Sequence, residues 1–79
     1  MENVMNKQRR KQISDNVKLL EHIKSNIESI LSDEENYFDN IPENLQCSIR
    51  GENSEEAIEI LNEVIESLED CIEKLNELI

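Results

Sequence analysis

Seven acids recur along the last third of the chain at steps of three and four residues: Glu55, Glu59, Glu63, Glu66, Asp70, Glu73 and Glu77. On a helix that spacing puts them on one side, about 5–6 Å apart. The chemistry open to such a row is electrostatic, not covalent: a rigid line of anions that a groove built for phosphates can accept. Like charges at these spacings weaken a helix by roughly 0.2–0.5 kcal/mol per pair, so the row does nothing for the helix itself. The same residues also suit a plain solvated exterior, because Glu is a strong helix former. Glu59, Glu63, Glu66, Asp70 and Glu73 are the central candidates for contact with a partner. Tyr37 and Arg50 are candidates for the specific contacts, since Tyr and Arg are enriched at binding hot spots.

A second charged group is basic. Lys7, Arg9, Arg10 and Lys11 cluster near the start and form the candidate nucleic-acid site of an alternative reading. Aromatics are missing nearby, and the net charge of -11 repels phosphates. The cluster also fits a solvated or salt-bridging arm. Its cations lie at the end of the helix dipole that favours anions, which hints at a use beyond helix stability. Charge is divided unevenly along the chain. Residues 1–24 hold six cations and three acids, net +3, whereas residues 25–79 hold two cations and sixteen acids, net −14. That polarity suits antiparallel electrostatic pairing or an acidic surface aimed at a basic partner.

Other site chemistry is sparse. His22 is the single histidine and has no Cys, His or Glu at metal-ligand spacing; the Glu-x-x-His pattern of carboxylate-bridged bundles fails because position 19 is Leu. Cys47 and Cys71 fall about 25 Å apart if both lie on a helical hairpin, beyond the roughly 7 Å limit for a disulfide. Cys71 reads as a small core residue, with a symmetric contact across a dimer as a further option, and Cys47 as a partly buried loop thiol. No nucleophile–base grouping, phosphate loop or CxxC pair occurs. The expectation is a protein without catalysis, metal, cofactor or small-molecule substrate.

The elements that carry these residues follow from periodicity. Ile58, Ile65, Ile72 and Ile79 alternate with Leu61, Leu68 and Leu75, an unbroken seam of a packed helix. Ala57, Val64, Cys71 and Leu78 widen that face to three positions in seven. The spacing predicts a second helix over about 54–79, capped by Asn53 or Ser54 with Glu56 in capping-box position. Ile13, Leu20 and Ile27, with Val17, Ile23, Ile30 and Leu31, predict a first helix over about 3–38. Asn16 and Lys24 interrupt its stripe; Asn16 is either a buried register-setter or a wet edge residue. Pro42 ends that helix and can open a short helix over about 42–48, whose Ile41, Leu45 and Ile49 would plug the end of the hairpin. Gly51 would supply a helix-ending or turning residue.

The fold expected for residues 1–79 is therefore all-α: one antiparallel helical hairpin with a short helix in its connection at 39–53. A chain of this length rarely gains more than about 3–5 kcal/mol from its own core. The wide apolar face then calls for a homodimeric four-helix bundle, with Leu61, Ile65, Leu68, Ile72 and Leu75 as its core. No apolar run approaches the roughly 18 residues of a membrane span, and the basic start leads into no hydrophobic leader segment. A cytoplasmic location is expected.

Three stretches carry a resemblance. Met5-Asn6-Lys7-Gln8-Arg9-Arg10-Lys11 is similar to an MNKxRRK opening, and Tyr37-Phe38-Asp39-Asn40-Ile41-Pro42-Glu43-Asn44-Leu45-Gln46 to an xFDNxPExLQ motif. Ser54-Glu55-Glu56-Ala57-Ile58 through Leu78-Ile79 is similar to an acidic EEAI-type helix. Together they resemble small acidic helical proteins of bacteriophages and mobile elements of Gram-positive bacteria. Cys47 departs from the pattern, which has a small or polar residue there. The resemblance implies a phage-type protein that binds and disables host machinery, a defence or nucleic-acid-handling protein, in the host cytoplasm. The alternative is a small oligomeric structural or regulatory protein that binds DNA or a phage component through its basic first helix.

Overall fold

A computed structural model describes residues 6–79. Helix α1 spans Lys7–Asp39. Its first turn is closed by Asn6, whose backbone is extended and whose side-chain oxygen accepts the Arg9 N–H at 2.8 Å. Asparagine at this position satisfies one of the four amides a helix start leaves unpaired. The helix thus starts at Lys7; residues 3–5 of the expected range lie outside the described residues. At the other end the Asn40 N–H donates to the carbonyls of Asn36 and Tyr37, and the chain leaves the helix before Pro42.

The connection is shorter than its sequence suggests. Only one 3-10 turn forms, Glu43–Leu45, in place of a helix over 42–48. Pro42 sits extended ahead of that turn instead of inside it. The Gln46 side-chain amide reaches back and donates to the Ile41 carbonyl at 3.2 Å, pinning the corner. Of the expected plug, Ile41 is buried at 4% exposure, whereas Leu45 is exposed and Ile49 is 76% exposed. One apolar residue, not three, seals the end of the hairpin.

Helix α2 spans Ile49–Asn76, so it begins five residues before the expected Ser54. Its cap is Ser48, whose hydroxyl oxygen accepts the Gly51 N–H at 3.4 Å. Gly51 therefore lies inside the first turn and terminates nothing. Its role is steric: a Cβ placed on Gly51 would fall into the backbone carbonyl of Gln46. Only glycine lets the start of α2 fold back this tightly on the connection. Ser54, read from the sequence as a cap, is instead 2% exposed and donates to Glu34 Oε2 at 2.6 Å.

Contacts of Glu34 with Ser54 and of Lys24 with Glu69 pair early α2 with late α1, and late α2 with mid α1. The two helices consequently run antiparallel, as the sequence pattern requires. Extents of 60 × 19 × 12 Å describe a layer one helix thick. Burial is correspondingly slight. Among the described residues, Val17 and Ile41 are the buried hydrophobic side chains, and Leu61, Ile65, Leu68, Ile72 and Leu75 are half-buried in the seam. Since the Gln46 carbonyl is fixed by the turn, Gly51→Ala should lower stability by about 1–3 kcal/mol, read as a lower thermal midpoint with helical content otherwise kept.

Candidate functional site

The hairpin has four long sides, and the seven-residue repeat assigns each ladder of side chains to one of them. On α2 the ladders Glu59, Glu66, Glu73 and Glu63, Asp70, Glu77 lie directly opposite the seam. All six are exposed, and none forms an ion pair among the described residues. The five central acids predicted as contacts are thus brought together as one continuous row on the back of α2. Lys74, the one cation in the last turn of α2, does not neutralise them at bonding distance.

The two flanks of the seam differ sharply. Antiparallel pairing reverses both chain direction and rotational sense, so equivalent ladders of the two helices meet on the same flank. One flank carries Glu21, Glu28 and Glu35 of α1 with Glu55, Asn62, Glu69 and Asn76 of α2. Here Lys24 leaves the seam to meet Glu69 at 3.0 Å and Glu28 at 4.0 Å. The other flank carries Ile23, Ile30 and Tyr37 of α1 with Ala57, Val64, Cys71 and Leu78 of α2. Leu19 and Ile60 extend it outward. Apart from Ala57, which is half-buried, every one of these apolar residues is exposed.

This placement corrects two sequence expectations. Cys71 is an exposed thiol on the apolar flank, not a core residue, because α1 covers only the seam and not the ladder beside it. Cys47 is also exposed, since the connection ends in a single turn with nothing packed over it. Tyr37 and Arg50 do not share a face with the acid row: both stand on the ladders of the apolar flank, near the connection. Asn16 adopts the wet alternative, exposed and donating its amide to the Gln12 carbonyl at 2.8 Å. His22 is exposed on α1.

At the basic end, Lys7, Arg9 and Lys11 are exposed and Arg10 is half-buried. Lys11 pairs with Asp15 at 3.2 Å within its own helix. A pair this exposed contributes little, and it leaves most of the cluster's charge uncompensated.

Two contacts across the seam escaped the sequence reading, the Glu34–Ser54 bond and the Lys24–Glu69 pair. The available signal was positional. Lys24, Glu34 and Ser54 all occupy seam positions, where a polar residue must find a partner across the interface or reach water. Among the described residues, no helix is long and apolar enough to cross a membrane. Compared with models of protein families, with curated proteins and with solved structures, the chain matches none.

The Lys24 pair has a pH signature. The hydrogen bond to Glu69 is the largest influence and raises the Lys24 pKa above 10.5, against a smaller lowering from its partial burial. A raised folded pKa means the pair's contribution is complete below the unfolded value and vanishes as pH climbs through the folded one. As pH rises above about 10.4, the native chain should therefore lose stability relative to Lys24→Met, measured as the difference in urea midpoints.

Proposed function

We propose that this chain is a binding module, working as a homodimeric four-helix bundle, that occupies and disables another protein through its acidic outer row. The observation carrying this reading is the division of the hairpin surface. An apolar flank with no covering element lies on one side, and a row of unpaired carboxylates points away from the seam on another. Soluble chains seldom leave a contiguous apolar strip of this length in water without a partner. A second copy laid on that flank would supply the missing layer and leave the acid rows free.

The target class follows from the charge. Carboxylates repeating every 5–6 Å along a rigid helix are spaced as a line of phosphates would be, so the natural acceptor is a basic groove that handles nucleic acid. With the resemblance to small phage proteins, the target is a host defence or nucleic-acid-handling protein, bound one-to-one and held. Binding at such a surface is steered by long-range fields and weakens as salt rises.

The test is competition. Immobilised protein should retain a DNA-handling protein from a lysate of a Gram-positive host, and duplex DNA should displace it. Glu63→Lys with Glu66→Lys should lower that retention at least tenfold while leaving helical content unchanged. Retention indifferent to the reversals would remove the acid row from the contact. Salt-dependent retention of DNA by the protein itself, lost on neutralising Lys7, Arg9, Arg10 and Lys11, would place function at the basic end instead.

A further inference from the structure

The uncovered flank also determines how a second copy must lie. We propose that the two hairpins stack antiparallel, with connections at opposite ends and the two-fold axis passing beside Ile23 and Val64. This inference rests on the homodimer proposed above and adds its orientation.

Area permits the contact: a flank of a hairpin 60 Å long and 19 Å across exceeds the roughly 800 Å² per partner of a standard interface. Charge selects the orientation. On either side of that axis, residues 7–22 of α1 hold five cations and two acids, net +3, whereas residues 24–39 hold five acids and one cation, net −4. Antiparallel stacking lays α1 on the partner's α1 and sets +3 against −4 at both ends. Stacking with both connections at one end does the reverse. Residues 24–63, the connection half, carry eleven acids and two cations, net −9, while residues 7–22 with 65–79 carry seven acids and six cations, net −1. That arrangement would press two ends of net −9 together, and like charges so opposed are strongly disfavoured.

The side-chain ladders agree. Ile23 is the central residue of α1, which spans Lys7–Asp39. Reversing the ladder Arg9, Asn16, Ile23, Ile30 and Tyr37 about that centre sets Ile23 on its own copy and Arg9 over the partner's Tyr37. A guanidinium above an aromatic ring is a favourable cation–π pairing. On α2 the same operation sets Val64 on its copy and Cys71 beside the partner's Ala57, two small residues that let the backbones approach. Tyr37 and Arg50 thereby become contacts between copies and not contacts to the target.

Cysteine cross-linking separates the arrangements. In a chain carrying Cys47→Ser and Cys71→Ser, Ile23→Cys should give a disulfide-linked dimer on mild oxidation, and so should Val64→Cys. Mixing the two variants should give little Ile23–Val64 cross-link. If the mixed link predominates over both homodimers, the antiparallel orientation is wrong although the dimer stands. If sedimentation of the unmodified protein at tens of micromolar gives a monomer with full helical content, the dimer itself is wrong. Both substituted positions are exposed and accept a small side chain, so circular dichroism should be unchanged and gel mobility interpretable.

Discussion

Two helices lying side by side share one seam, and that single contact limits everything else in this molecule. A seam shelters two ladders of side chains per helix; the ladders beside it stay in water however apolar they are. Here the sequence supplies three apolar ladders on α2 and nearly three on α1. The seam absorbs Val17, Leu20, Ile27 and Leu31 against Ile58, Leu61, Ile65 and Leu68, and even these are mostly only half-buried. The flanking ladder with Ile23, Ile30, Val64 and Leu78 remains. With about 25 cal/mol per Å² of apolar surface at stake, covering that ladder is the largest stabilisation still open to the chain.

Because the seam is narrow, its alignment depends on polar pins and not on bulk. Ser54 and Glu34 meet near the connection, and Lys24 meets Glu69 further along. A slip of either helix by one turn, about 5.4 Å, would strand Glu34 against apolar neighbours and separate Lys24 from its acid. Gly51 acts with them by setting the corner, since its missing side chain lets α2 begin directly against the Gln46 carbonyl. Glycine inside a helix costs about 1 kcal/mol relative to Ala. The Ser48 cap and the early start of α2, which adds a turn to the seam, offset it.

The seam itself was legible from residues alone, because an Ile/Leu repeat at steps of three and four has one helical solution. The antiparallel hairpin followed from Pro42 between two such repeats. What failed were the positions where one residue type serves two structural purposes. Gly51 reads as a terminator, but it was needed for close approach inside a helix. Ser54 reads as a cap, yet Ser48 lies six residues earlier with the same chemistry and wins because α2 starts there. Cys71 reads as core because its ladder is apolar, but apolar ladders and covered ladders coincide only when enough layers exist. The acid row was placed correctly as a surface. Its separation from Tyr37 and Arg50 required knowing which flank each ladder takes, and that depends on both helices together.

The orientation proposed for two copies bears directly on the acid row. If the hairpins stack antiparallel, α2 lies over its own copy, and both acid rows emerge on the same side of the bundle. They run in opposite directions, about 8–10 Å apart at normal helix spacing. The bundle then presents two antiparallel lines of negative charge, the arrangement of a duplex and not of a single strand. Stacking in the other sense would put the rows on opposite sides, each one isolated. In that bundle the mutual repulsion of the two rows would oppose assembly, and the +3 on −4 contacts of α1 would counter it from the far side. Added salt would screen the exposed rows more than α1 contacts covered by the partner. Assembly and target binding would then respond to salt in opposite directions, which would tie the acidic face to the proposed helix pairing.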